Sequence, residues 1–198
     1  MGIHGTFADT KYVVRRKVLK LVGGAFHVWD AAGDLAAFSE QKAFKLKEDI
    51  RVYADEAKTR ELLCIKARQV LDFSACYDVT DTSSGERVGS MRRRGGRSIL
   101  RDEWEVLDAA ERTIGTLIED SMALALVRRL LTGLVPQKYD VFFPDVTGGQ
   151  KVCSIDQAFN PFVFKVDVDF SMDPSGRLDR RMGIAAAILL AAVEGRQG

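Results

Sequence analysis

The chain has 198 residues, of which 46% are hydrophobic and 29% are charged, so it is long and apolar enough to bury one sizeable core. Its 29 Lys and Arg residues nearly balance its 28 Asp and Glu residues, and this balance argues against nucleic acid as a partner. Three widely separated cysteines do not describe a disulfide framework, and we expect buried free thiols in a reducing compartment. Because the net charge is nearly zero, any electrostatic binding must depend on a local cluster of charged residues.

The first ten residues show no strand or helix pattern, and we expect residues 1–10 to form a flexible segment ahead of a single domain, residues 11–195. The opening letters MGIHGT match the short N-myristoylation pattern, with Gly2 as the acceptor and Thr6 at the favoured position. That pattern also matches many sequences by chance, so an unmodified terminus is the alternative. No secretory signal opens the chain, which favours a cytoplasmic location.

Three segments share a pattern that predicts β-hairpins. Each has an aromatic residue, a Val two positions later, an Asp two positions after that, a polar turn and a second apolar run. An Asp in this place opens a turn, because its carboxylate accepts hydrogen bonds from the backbone N–H groups that follow. The segments are Phe26–Phe38, Tyr77–Met91 and Trp104–Ile118, and Ile50–Ile65 is a looser copy.

Apolar and polar residues alternate from Phe162 to Ser171, as expected for a strand with one buried and one solvated face. Similar runs predict about a dozen strands between Lys11 and Ser171, at spacings typical of an all-β sheet or barrel. One amphipathic helix, about residues 120–133, interrupts the strands. Its apolar residues follow helical spacing until Gly133 and Pro136 end the pattern.

A second helix, about residues 177–194, is apolar on every side from Met182 to Val193. This apolar part reaches about 18 Å at 1.5 Å per residue, so it does not predict a transmembrane span through a hydrocarbon layer of roughly 30 Å. A helix that is apolar on every side must be buried on every side. The sequence therefore predicts a mainly β fold, a closed barrel of about twelve mostly antiparallel strands around this hydrophobic C-terminal helix.

The segments YDVTDTSSGERVGSM, RDEWEVLDAAERTIG, FNPFVFKVDVDF and LDRRMGIAAAILLAA follow one another in this chain. Their order and content resemble the tubby-like superfamily, and within it the LURP-one-related group, with phospholipid scramblases as more distant relatives. The resemblance extends from about Tyr12 to Val193 and is most specific in the final strand, the LDRR stretch and the hydrophobic helix. It implies a twelve-stranded barrel around a central helix, and it supplies no catalytic motif.

Few residues offer catalytic or metal-binding chemistry. The chain has only two histidines, His4 and His27, and it lacks a GxSxG motif, so neither a catalytic triad nor a His-rich metal site is predicted. Asp167, Asp169 and Asp173 form a weak calcium candidate, in which a methionine replaces the obligatory glycine of a calcium-binding loop. A solvated strand face is the simpler interpretation of these residues. No catalytic residue, metal or cofactor is therefore assigned.

The strongest local charge is the segment MRRRGGRSILR, which places Arg92, Arg93, Arg94 and Arg97 around a Gly-Gly turn. In a strand, Arg92 and Arg94 share one face and Arg93 takes the other, so the three converge only beyond the core. There they could hold the phosphate of a lipid headgroup bidentately. The alternative is a hairpin whose charges serve only solubility.

These features favour a non-catalytic module that binds anionic phospholipid headgroups or a protein partner at the barrel surface. Such a protein would be cytoplasmic and would contact a membrane peripherally. Two alternatives stay open from the sequence. One is a lipid scramblase-like protein, suggested by the distant kinship, and the other is an enzyme with an unrecognised site at the barrel mouth.

Overall fold

The computed structural model describes residues 5–17, 24–41, 49–69, 75–94, 103–119, 136–144, 149–158 and 163–194. Residues Gly5–Phe7 form a 3₁₀ turn, and the C-terminal helix α1 spans Arg180–Glu194. The twelve strands are β1 Lys11–Lys17, β2 Gly24–Trp29, β3 Leu35–Gln41, β4 Ile50–Tyr53, β5 Glu61–Gln69, β6 Cys76–Asp81, β7 Glu86–Arg93, β8 Glu103–Asp108, β9 Thr113–Glu119, β10 Lys138–Phe143, β11 Gln150–Ala158 and β12 Val163–Asp169.

The strands close into a barrel in which each strand pairs with its neighbours in the sequence. All neighbouring pairs are antiparallel, and β1 completes the ring by pairing with β12 from Lys11 opposite Asp169 to Lys17 opposite Val163. Closure removes the free edges that an open sheet would expose. The prediction of a closed, mainly β barrel of about twelve strands is confirmed.

The predicted Asp turns are also present. In the β2–β3 hairpin, Asp30 Oδ1 accepts hydrogen bonds from the backbone N–H groups of Ala32 and Asp34 at 3.0 and 2.8 Å. In the β8–β9 hairpin, Asp108 Oδ1 accepts the same pair of bonds, from Ala110 and Arg112, both at 2.9 Å. The shared sequence pattern therefore encodes a shared turn, in which one carboxylate satisfies two backbone donors.

Helix α1 lies inside the barrel. Every residue from Met182 to Ala192 is buried, so no side of this part of the helix faces water. The helix contacts β12 and, on the other side of the ring, β5 and β7. Side chains on the inner faces of the strands and on the helix therefore share one hydrophobic core, which also includes Phe7 of the 3₁₀ turn upstream of β1.

The helix begins at Arg180, three residues later than the sequence pattern predicts, because two separate turns precede it. Asp173 closes the first turn by accepting hydrogen bonds from the backbone N–H groups of Arg177 and Leu178 at 3.0 and 2.9 Å. Asp179 then starts the helix, since its carboxylate accepts the N–H of Arg181 at 2.9 Å. The charged stretch is thus part turn and part first helical turn.

The two ends of the barrel differ in what they contain. We call the end where α1 begins the lower end, and it holds the turns that follow Asp30, Asp81 and Asp108. The upper end, where α1 finishes, holds the last residues of β7 and the first residues of β8. The helix predicted at residues 120–133 lies outside the described residues. Within the described part of the chain, no helix combines the length and hydropathy that a membrane crossing requires.

Candidate functional site

The arginine edge, which we define as Arg92, Arg93 and Arg94, lies at the upper end of the barrel. The alternation of β7 separates its members as predicted, since Arg92 is exposed on the outer face while Arg93 turns inward behind the buried Met91. The Arg93 guanidinium lies over the ring of Trp104, 5.9 Å from the ring centre. Arg97, the fourth predicted member, lies outside the described residues.

Glutamates on β8 hold the two outer arginines in fixed positions. Arg92 donates to Glu105 Oε2 through Nε at 2.8 Å and through Nη2 at 2.5 Å. Arg94 donates to the other oxygen of Glu105 at 2.9 Å and to Glu103 Oε1 at 2.5 Å. Burial alone would raise the pKa of Glu105, but the hydrogen bonds from Arg92 and Arg94 outweigh it and hold this pKa below its usual value. Glu105 therefore stays ionised and pairs with two guanidinium groups at once.

This charge balance was not among the predictions from the sequence. Two arginines and two glutamates form the outer group, so its formal charge is zero and not +2. The signal was available, because Glu103 and Glu105 alternate around Trp104 and Arg92 and Arg94 alternate around Arg93. Two such segments in neighbouring strands bring opposite charges together when they pair in register, and the structure pairs Arg92 directly with Glu105.

The three aspartates of the calcium candidate are engaged separately. Asp167 pairs with Lys165 at 2.8 Å, and Asp169 pairs with Lys11 at 3.4 Å. Asp173 is 1% exposed, and its carboxylate accepts the two backbone bonds that form the turn before α1. Across the residues that the structure describes, no three His, Cys, Asp or Glu side chains are grouped as they would be around a metal ion.

His27 is placed for packing on the outer face of β2. It is 6% exposed, and its ring stacks on Trp29 and meets Phe38 edge-on, with ring centres 6.1 and 5.1 Å apart. Nε2 forms one hydrogen bond, to Glu56 at 2.8 Å. The neighbours are a carboxylate and aromatic rings, so these contacts orient the imidazole without bringing a nucleophile to it.

The cysteines are free thiols in this fold. Cys64 and Cys153 are buried, and Cys76 is half-buried. Burial raises the pKa of all three thiols, most of all that of Cys153, because a thiolate is poorly solvated in an apolar surrounding. The arrangement therefore keeps them protonated at neutral pH, as inert thiols.

A polar cavity of about 390 Å³ opens at the lower end of the barrel. The 3₁₀ turn forms one wall, β3 and the β4–β5 hairpin form another, and Asp9, Asp30 and Arg60 supply charge. This cavity was not predicted from the sequence, because its walls come from four separate segments, and no single segment indicates how they are aligned.

A comparison with models of known protein families gives a match that covers most of the strands and α1. The LURP-one-related family profile matches residues 35–191, about four fifths of the chain. The chain belongs to the LURP-one-related family. The match spans β3 to α1, so this LURP-one-related domain includes both most of the barrel and the helix inside it. No curated protein and no solved structure gives a significant match.

Proposed function

We propose that this LURP-one-related domain is a non-catalytic binding module that contacts an anionic phospholipid headgroup through the arginine edge. The observation that carries the proposal is the position of α1, since a helix buried from Met182 to Ala192 fills the interior where a barrel enzyme would hold its substrate. Recognition is then left to the outer surface. The module would work in the cytoplasm as a peripheral partner of a membrane.

The geometry of the outer arginines supports this use. Their side chains remain 46% and 41% exposed although both are bonded to Glu105. Those bonds occupy Nε and Nη2 of Arg92, so its Nη1 group keeps its hydrogen-bonding capacity. A phosphate that approaches the edge would meet two guanidinium groups whose orientation is already fixed, and little side-chain entropy would be lost on binding.

The glutamates oppose the same binding. A phosphate must share the guanidinium groups with Glu103 and Glu105, so the edge would hold an anion weakly and only where many headgroups are presented together. A membrane surface meets that condition, because its anionic lipids attract nearby basic groups collectively. Because of this competition, removal of the arginines should weaken lipid binding, and removal of the glutamate charges should strengthen it.

Vesicle flotation of the full chain tests the proposal, with vesicles of phosphatidylcholine alone and of phosphatidylcholine mixed with phosphatidylserine. We expect flotation only with the mixed vesicles, a loss in the Arg92→Ala/Arg94→Ala variant and a gain in Glu103→Gln/Glu105→Gln. Arg112→Ala is the matched control, because Arg112 is a surface arginine at the lower end whose side chain is 80% exposed.

Equal flotation with both kinds of vesicle, or unchanged flotation in the Arg92→Ala/Arg94→Ala variant, would reject the headgroup. A protein partner, the other hypothesis that the sequence favours, would then be the ligand of this surface. Thermal melting of each variant separates loss of binding from loss of fold.

A further inference from the structure

The barrel wall has its shortest described strand pairing between β3 and β4, and the polar cavity lies beside this pair. Among the described residues these strands pair at two positions only, Phe38 opposite Tyr53 and Ser39 opposite Val52. Each of the other neighbouring pairs has at least four positions. Towards the lower end, no described residues of the two strands pair beyond Phe38 and Tyr53, and the cavity lies beside this unpaired part.

Residues at the ends of both strands line the cavity. Ala36 of β3 and Ala54, which follows β4, both border the cavity. The ladder does not continue at Ala54, which pairs with no described residue of β3, while its N–H donates to the carbonyl of Arg60 across its own hairpin at 2.8 Å. The cavity therefore lies where the pairing between β3 and the β4–β5 hairpin ends.

Two carboxylates in the cavity each keep one oxygen uncommitted. Asp9 Oδ2 accepts the N–H of Ala31 at 3.4 Å, and Asp30 Oδ1 accepts the two N–H groups of its turn. Asp9 Oδ1 and Asp30 Oδ2 accept no hydrogen bond from the described residues. Both carboxylates are already oriented by backbone bonds, so a cationic ligand would find them in place.

One guanidinium completes the charge pattern. Arg60 lines the same cavity, is exposed, and forms no ion pair with any described carboxylate. The cavity thus carries two negative groups and one positive group. A ligand that matches it has cationic groups for Asp9 and Asp30 and an anionic group for Arg60. The volume of about 390 Å³ lies at the small end of the range for ligand pockets, which suits a molecule of amino-acid size.

We propose that the cavity between β3 and β4 binds a small zwitterionic amine, with its ammonium groups on Asp9 and Asp30 and its carboxylate on Arg60. Thr6, which also lines the cavity, carries a neutral hydroxyl that can form hydrogen bonds. The site lies at the end of the barrel opposite the arginine edge, so it is independent of the proposed lipid contact. Occupancy would also link β3 to β4 across their weakest pairing.

The probe for this proposal is L-lysine, which carries two ammonium groups and one carboxylate. Titration of the full chain, followed by amide chemical shifts in NMR spectra, should give saturable shifts at Ala31, Ala36 and Ala54. Asp30→Asn should weaken the binding about tenfold, since a charge-assisted hydrogen bond becomes a neutral one. The amide oxygen can still accept the two turn bonds.

Asp108→Asn is the matched control, because Asp108 makes the same turn on a hairpin that does not border the cavity. It should leave the affinity for L-lysine unchanged. Cadaverine, which lacks the carboxylate, should bind more weakly than L-lysine, and Arg60→Gln should remove that difference. Nα-acetyl-L-lysine amide, a mimic of a lysine within a peptide, should also bind more weakly.

Three results would overturn the proposal. The first is an absence of saturable shifts with L-lysine. The second is an equal loss of affinity in Asp30→Asn and Asp108→Asn, which would make the effect one of turn geometry. The third is that cadaverine or the acetylated amide binds as tightly as L-lysine. This would show that the ligand carboxylate does not contact Arg60. None of these results depends on lipid, so failure here is distinct from failure of the arginine edge.

Discussion

Arg181 Nη1 donates a hydrogen bond to Asp81 Oδ2 at 2.7 Å, although the two residues are 100 positions apart in the chain. The same guanidinium donates to Glu86 at 3.1 Å and to Asp179 at 2.6 Å. It joins the first turn of α1 to the β6–β7 hairpin. Cations are unfavourable near the start of a helix, and the surrounding carboxylates offset this cost. The pair therefore anchors the central helix to the lower end of the wall.

Removal of this anchor should destabilise the whole barrel. The side chains of Arg181 and Asp81 are 13% and 3% exposed, so Arg181→Ala removes a guanidinium group that is hydrogen-bonded to a buried carboxylate. We expect a loss of about 2–4 kcal/mol in the free energy of unfolding, measured by urea titration. Asp81→Asn in the Arg181→Ala background should restore part of the loss, because the remaining side chain is neutral.

Arg112→Ala is the control for that measurement. Arg112 pairs with Asp108 at 2.7 Å, but its side chain is 80% exposed, so water replaces the lost partner. The expected change is below about 1 kcal/mol. Equal losses in the two arginine variants would show that burial of the Arg181 pair has no special part in stability.

A second prediction concerns the contact between α1 and the strand segment before it. A Cβ atom added at Gly183 would lie 2.3 Å from Cε1 of Phe170, which is fully buried. Helix propensity favours Ala over Gly by about 1 kcal/mol, but overpacking of a core typically costs about 1–3 kcal/mol. We expect the clash to dominate, so Gly183→Ala should lower the melting temperature.

A smaller side chain at position 170 tests whether the effect is steric. Phe170→Leu alone should destabilise, yet Gly183→Ala in the Phe170→Leu background should cost much less than in the natural sequence. Gly5→Ala is a suitable control, since no atom lies within 4 Å of its added Cβ. Additive losses in the double variant would contradict the clash.

Much of this fold can be predicted from the sequence, because the patterns that indicate it are local. Alternation, the Asp at each turn and the all-apolar helix each depend on residues within one segment, and all three features are present in the structure. The partners of Arg92 and Arg181 were not predicted, because each depends on the register between segments. The polar cavity was not predicted for the same reason, since it lies where the pairing of β3 with β4 ends.

The start of α1 also depends on contacts outside its own segment. Asp173, Pro174 and Ser175 resemble a helix start, and Asp173 does accept backbone bonds as an N-cap would. The helix nevertheless begins only after Asp179, because Asp173 is buried at the lower end and forms a turn that positions Arg180. The Arg180 guanidinium then lies over the ring of Phe170, 4.6 Å from its centre.

A third prediction concerns stability at high pH. Burial raises the pKa of Tyr12 from 10.0 to about 12, although a hydrogen bond from the Asp9 N–H to its hydroxyl oxygen, at 2.8 Å, opposes the shift. Between these two pH values the unfolded chain has released this proton while the folded chain retains it. The free energy of unfolding should therefore fall as the pH rises from about 10 to about 12, and this contribution should be constant below pH 10.

Comparison with Tyr12→Phe isolates this contribution from other groups that titrate at high pH. The variant lacks the phenol, so the stability difference between the natural chain and the variant should shrink as the pH rises through this window. Guanidinium unfolding at several pH values provides the measurement. A difference that stays constant up to pH 12 would contradict the raised pKa.

The last prediction tests whether the helix is enclosed on every side. Ala187 lies in the middle of α1 and is fully buried, so Ala187→Asp would place a carboxylate in the hydrophobic core. An unpaired charge there costs several kcal/mol, which is comparable to the whole stability of a domain this size. We expect insoluble or unfolded protein, detected by the loss of a cooperative melting transition. Ala57→Asp introduces the same charge at an exposed position of the β4–β5 turn and should melt like the natural chain. A soluble, cooperatively melting Ala187→Asp protein would mean that one side of the helix reaches water.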